Sequence, residues 1–214
     1  MKTYVVLAGN IGAGKSTLVQ LICERLGWEP YYEPVTENPY LADFYGDMGR
    51  WAFHSQVFFL TYRARAHRAL MDIPRSVVQD RSFYEDAEVF ARALHRQGAM
   101  SDREWETYTG LYRTLTTLLT PPDLVVYLRA SVPTLRRRIE QRGRDFEARI
   151  TDAYLDGLNA LYEEWITGFH LAPVLVVPSD RLDFVKDSRS LETIVATVRK
   201  RLRGRQAVLF PEQM

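Results

Sequence analysis

The sequence predicts an α/β fold, a doubly wound sheet of five parallel strands covered by helices on both faces. Three observations carry this expectation. Short, fully apolar runs alternate with longer helical stretches, the pattern of strands buried on both sides. A glycine-rich run joins the first strand to the first helix. The chain has 214 residues, 46% of them hydrophobic, enough for one well-cored domain over residues 1–214 and no more.

The first strand is read at residues 4–8 (Tyr4-Val5-Val6-Leu7-Ala8), followed by Gly9-Asn10-Ile11-Gly12-Ala13-Gly14-Lys15-Ser16-Thr17. That run fits G-x-x-x-x-G-K-[ST], which defines a P-loop NTPase. Glycines let the backbone wrap an anion, and the following helix presents its positive N-terminus to the same point. Lys15 would neutralise the β/γ-phosphates and the Ser16 hydroxyl would sit on Mg²⁺. Leu18, Leu21, Ile22 and Leu26 give that helix an apolar face, and Gly27 stops it. A weak second strand covers residues 28–33. Asn38-Pro39 marks a turn before a helical region from about 41 to 71, interrupted between Gly46 and Gly49 and ended by Pro74. The third strand is read at 76–79. Ser101-Asp102-Arg103-Glu104 is a capping box opening a helix that Pro121-Pro122 terminates. Then come a strand at 124–128, helices at about 132–142 and 151–169, a strand at 174–177 and a last helix at about 191–202.

The net charge of +1 gives no global reason to expect nucleic acid or a membrane as partner. The basic runs at 136–144 and 199–205 read by default as solvated helix faces. The single Cys23 excludes an internal disulfide and falls on an apolar helix face, as a buried small hydrophobe would. With no charged-then-apolar leader and no membrane-length apolar run, a cytoplasmic protein is expected.

In a parallel sheet the carboxyl ends of all strands lie on one edge, so Glu33, after the second strand, belongs near the transferred phosphate. There it could accept the proton of an attacking hydroxyl. On its own it reads equally as a solvated carboxylate. Asp80, Arg81 and Ser82 follow the third strand. An acid in that place commonly holds Mg²⁺, directly or through water, and Arg81 could steady the γ-phosphate or the acceptor. A surface Asp–Arg pair is the plainer reading of these two.

Residues 9–17, Glu33-Pro34-Val35, Asp80-Arg81-Ser82 and Arg142-Gly143-Arg144, in this order, resemble the deoxyribonucleoside kinase family over nearly the whole chain. The resemblance implies transfer of the ATP γ-phosphate to a nucleoside 5′-hydroxyl. It implies Glu33 as base, Lys15 and Arg81 on the phosphates, and Ser16 and Asp80 on Mg²⁺; some accounts of the family instead make the acid matching Asp80 the proton acceptor. It places Gln56, Arg63 and Asp86 on the base edge, with Phe90 stacking on the ring. Tyr45 and Glu147 match positions that hold the sugar 3′-hydroxyl. Arg138, Arg142 and Arg144 resemble an arginine-rich lid over the phosphates, and Asp183-Phe184 resemble a loop holding the ATP adenine. For Phe184 a core anchor is the other reading. Phe59 and Asn38 depart from the animal deoxycytidine members. The segments around Asn38-Pro39 and Tyr84-Glu85-Asp86 look most like bacterial deoxyadenosine-preferring members, so the implied order is deoxyadenosine, then deoxycytidine, then deoxyguanosine. A homodimer through helices is also implied. The rival readings are a nucleoside monophosphate kinase of the thymidylate kinase type and a P-loop regulatory module.

Overall fold

The computed structural model describes residues 2–32, 38–144, 147 and 150–204. Glu33, Pro34 and Val35 lie outside the described residues. Five strands, β1 (Tyr4–Gly9), β2 (Glu29–Tyr31), β3 (Val77–Asp80), β4 (Leu124–Arg129) and β5 (Val174–Pro178), form one all-parallel sheet in the order β2-β3-β1-β4-β5. The expected architecture is thus present. β2 is shorter than the expected run, because Trp28 donates its N–H to the Cys23 carbonyl and so belongs to the close of the first helix.

The helices are α1 (Lys15–Leu26), α2 (Leu41–Gly46), α3 (Met48–Asp72), α4 (Phe83–Glu85), α5 (Arg92–Arg96), α6 (Asp102–Leu118), α7 (Val132–Arg142), α8 (Asp152–Gly168) and α9 (Ser188–Gly204). A π-helical stretch, Asp86–Ala91, joins α4 to α5. The capping box at Ser101 is formed: the Ser101 N–H donates to Glu104 Oε2 at 2.8 Å and the Glu104 N–H to Ser101 Oγ at 3.4 Å. The expected break between Gly46 and Gly49 is a single residue, Asp47, which closes α2 and caps α3 by accepting from the Arg50 N–H.

The two-residue period of the strands divides the core. Val5 and Leu7 of β1 and Leu124, Val126 and Leu128 of β4 face α1, α7 and α9 through Leu18, Ile22, Leu135, Ile139, Ile194 and Val198. Val125 and Tyr127 face the other way, onto Leu60 of α3, Tyr108 of α6 and Leu158, Tyr162 and Trp165 of α8. Cys23 is buried and unpaired as a thiol among the first set, and burial pushes its thiol up to about 12. Both faces being sealed, polar chemistry is left to the carboxyl edge, where the loops after β1 and β3 lie.

Candidate active site

The run between β1 and α1 folds as a phosphate loop. Gly14 caps α1 at φ 96°, and Gly12 has φ 81°. A side chain at Gly12 would meet the Leu135 carbonyl and Ile139 Cγ1 at 2.9 Å, so both conformation and space demand glycine there. The Lys15 ammonium is buried beneath the loop, donating to the carbonyls of Gly9 at 2.8 Å and Asn10 at 3.1 Å. Asn10 turns its side chain to α8, donating to Leu155 O at 2.9 Å and Asn159 Oδ1 at 2.8 Å while accepting from the Ile11 N–H. Thr17 is exposed.

β3 lies beside β1, with Leu7 opposite Asp80, which brings Asp80 to α1. Ser16 Oγ donates to Asp80 Oδ2, and the buried Oδ1 of Asp80 has no hydrogen-bond partner. A buried carboxylate oxygen left over beside a hydroxyl is a fit for a hard divalent cation. Mg²⁺ keeps several water and phosphate ligands, so these two groups are a sufficient protein share. Among the described residues no cluster of three or more His, Cys, Asp or Glu could hold a metal by itself.

Arg81 is the one non-glycine residue at positive φ (64°) among the described residues. The turn is held by its N–H donating to Leu7 O at 3.0 Å, and its guanidinium lies 4.4 Å over the Phe90 ring. Beneath it, Glu85 is fully buried. Its Oε1 accepts from the Gly9 N–H at 3.2 Å and from the Tyr162 hydroxyl at 2.7 Å; its Oε2 accepts from the Ser82 N–H at 3.2 Å. Burial raises the Glu85 pKa, opposed by Arg81, Lys15, the Tyr162 hydroxyl and the Ser82 N–H.

One cavity of about 670 Å³ opens from Lys15, Ser16, Asp80 and Arg81 into a chamber lined by Tyr45, Gln56, Phe59, Arg63, Asp86, Phe90 and Glu147. Arg63 Nε and Asp86 Oδ2 form an ion pair with side chains only 5% and 3% exposed. Gln56, two turns before Arg63 on α3, is buried with its Oε1 lacking a hydrogen-bond partner. Tyr45 and Glu147 are near enough that Glu147 adds to burial in raising the Tyr45 pKa. Tyr32, the last described residue before Glu33, lines the same cavity.

Of the arginines expected over the phosphates, Arg142 binds Glu147 through both carboxylate oxygens (2.6 and 3.1 Å), and Arg144 lies 3.7 Å from the same group. Arg138 instead clamps the loop from behind, donating to Ala13 O at 2.9 Å, Ser179 Oγ at 2.8 Å and Ser179 O at 3.0 Å. Asp183 accepts from the N–H groups of Val185 and Lys186. Phe184 is buried in the core, where its ring would lie 3.2 Å from a Cβ at Gly14. Glu85 and Tyr162 are not among the residues the sequence marks as candidates. The S-x-x-E spacing of Ser82 and Glu85 was an available signal, whereas Tyr162 sits on the apolar face of α8 and reads as core.

A phosphate loop with a cavity running from it to a buried polar set, Gln56, Arg63 and Asp86, defines a P-loop phosphotransferase for a small-molecule acceptor. The family model described as deoxynucleoside kinase matches residues 5–203. The deoxyadenosine/deoxycytidine kinase of Bacillus subtilis is 38% identical over 197 residues, covering 90% of each chain. The deoxyadenosine kinase of Lactobacillus acidophilus is 34% identical over 214 residues, 95% of this chain and 98% of that one. Among solved structures, the deoxyadenosine kinase from M. mycoides with products dCMP and a flexible dCDP bound superposes with a TM-score of 0.82 at 31% identity, covering 92% of this chain and all of that one. The same enzyme with bound dATP gives 0.81 at 30%. The chain belongs to the deoxynucleoside kinase family, with the ATP-dependent phosphoryl transfer to a deoxynucleoside that this entails. These similarities favour neither the monophosphate kinase nor the regulatory module.

Proposed function

We propose that this enzyme phosphorylates the 5′-hydroxyl of deoxyadenosine first, deoxycytidine second and deoxyguanosine third. The observation that carries this is the buried trio of Gln56, Arg63 and Asp86 at the far end of the chamber that begins at Lys15 and Ser16. A buried amide oxygen without a partner calls for a donor, and the amino groups of adenine and cytosine supply one. An ion pair fixes the neighbouring edge by charge-assisted bonds. Relatives named for deoxyadenosine, deoxycytidine and deoxyguanosine support the same group of substrates.

In this reading the loop and Lys15 cradle the donor phosphates, and Arg81, Arg142 and Arg144 offset the charge of the transition state. Arg138 keeps the loop backed against β5. Ser16 and Asp80 would hold Mg²⁺, which offsets charge on the β- and γ-phosphates when bound. Tyr45 and Glu147 hold the sugar. Glu33 accepts the hydroxyl proton late, since a loose transition state asks little of its base. Residues 1–214 act as one domain. Two copies pair through α6, which buries only Tyr108 in its own chain and leaves Leu111 and Leu118 exposed. A reducing cytoplasm suits the free Cys23; among the described residues no helix is long and apolar enough to cross a membrane.

The test is purified protein with Mg·ATP and each of the four deoxynucleosides, with dAMP as a further acceptor. Deoxyadenosine should give the highest kcat/KM. A preference for thymidine, or for dAMP over deoxyadenosine, overturns the proposal.

A further inference from the structure

The chain contains two S-x-x-E caps, and they differ in one informative way. Glu104 is only partly buried, and its hydrogen bonds go to its own Ser101. Glu85 has the same spacing from Ser82 but is fully buried, a costly setting for a carboxylate that capping alone does not require. Only Oε2 is used by the cap. Oε1 reaches across the sheet to the Gly9 N–H, at the entry of the phosphate loop, and to the Tyr162 hydroxyl. The same hydroxyl oxygen lies 2.8 Å from the Gly9 carbonyl, which takes its hydrogen bond from Lys15. The Gly9 residue is therefore held at both ends, its N–H by Glu85 and its carbonyl by Lys15, while Tyr162 gives its one proton to the Glu85 carboxylate and steadies it. Through the Ser82 N–H, Glu85 also holds the Asp80-Arg81-Ser82 turn, and its Oε1 is 4.0 Å from Arg81 Nε.

We propose that Glu85, steadied by Tyr162, is a positioning residue for phosphoryl transfer: one carboxylate sets the spacing between the donor loop and the turn carrying Asp80 and Arg81. It touches neither substrate; it acts through Gly9 and Arg81. The inference rests on the kinase reading, and activity of the parent enzyme tests that reading separately.

The experiment compares Glu85→Gln, Tyr162→Phe, the double variant and the control Glu104→Gln, with kcat at saturating Mg·ATP and deoxyadenosine, both KM values and the melting temperature. Misplacement of reacting groups by fractions of an ångström should lower kcat about 10- to 100-fold in Glu85→Gln, with nucleoside KM within about twofold. Tyr162→Phe should lower kcat in the same direction. The double variant should be no slower than Glu85→Gln alone, because both act through one contact. Glu104→Gln should lose melting temperature only. If Glu85→Gln and Tyr162→Phe also lose only melting temperature, Glu85 is a cap and the proposal fails. If Glu85→Gln does not fold, Tyr162→Phe decides: it keeps its ring packing, and an unchanged kcat refutes the coupling.

Discussion

Replacing Asp86 by Ala removes one half of an ion pair almost wholly shielded from water. Breaking a buried pair from one side costs roughly 3–5 kcal/mol, because the remaining guanidinium keeps its desolvation penalty without its carboxylate. For a chain of this size each kcal/mol moves the melting temperature by about 2–4 °C, so a fall of roughly 6–20 °C is expected. The catalytic consequence follows from the charge-assisted bonds the pair offers a base edge. At about 1.5–3 kcal/mol per lost bond, kcat/KM for deoxyadenosine should drop about 10- to 100-fold. Thymidine, which matches that edge poorly, should lose much less, so the ratio between bases collapses. The companion variant Arg63→Met/Asp86→Ala removes both charges and should melt above the single Asp86→Ala variant, since no lone charge remains buried. Thermal melts and kcat/KM on four deoxynucleosides check both halves. An equal loss on every base would show that the pair does not read the base, and a double variant less stable than the single would refute the burial argument.

Glu33→Gln should lower kcat by about a hundredfold or more while leaving nucleoside KM nearly unchanged; near-normal turnover removes Glu33 from the role of base. Asp80→Asn should raise the Mg²⁺ concentration for half-maximal rate about 10- to 100-fold, read from rates across a Mg²⁺ titration. Glu147→Gln releases the bidentate contact with Arg142 and weakens the sugar site, so nucleoside KM should rise about tenfold; a loss confined to the ATP KM would assign Glu147 to the arginines alone. Burial lowers the pKa of His67, partly offset by a backbone contact from Thr120, so below the ordinary imidazole value the unfolded chain binds more protons there than the folded one. Stability is therefore full above the unfolded value of about 6.5 and declines as pH falls below it, and His67→Gln should flatten that decline in melts between pH 7.5 and 5.

β1 and β4 were legible because their apolar runs are buried on both faces and sit between helices with clear stops, whereas β2, only Glu29-Pro30-Tyr31 and not buried, gave the weakest signal. The phosphate loop was legible because its glycines answer a local geometric demand, visible at Gly12. Gln56 and Arg63 share a helix face by simple spacing, and the structure puts both in the chamber. The π-helical stretch was not legible: Asp86-Ala87-Glu88-Val89-Phe90-Ala91 contains no proline or glycine to announce it. Its wider turn is set by tertiary contacts, with Asp86 and Phe90 in the chamber wall and Val89 buried. Glu85 escaped for a related reason, since only the three-dimensional approach of β1 and α8 turns a helix cap into a bridge.

Asn10, Arg138 and Glu85 share one physical logic. Each spends its hydrogen bonds on the phosphate loop or on the element behind it: Asn10 on α8, Arg138 on Ala13 and Ser179, Glu85 on Gly9. A loop of glycines gains its anion-binding geometry from backbone freedom, and that freedom must be removed again before the N–H groups can converge on a phosphate. The sequence motif records the freedom, as the spacing of glycine, lysine and serine within residues 9–17. The restraint comes from contacts 76 to 166 positions apart in the chain, so it is visible only after folding. A kinase of this architecture should thus be sensitive to these distant anchors, and Glu85, which joins the donor loop to the Asp80-Arg81-Ser82 turn, is where that sensitivity should be largest.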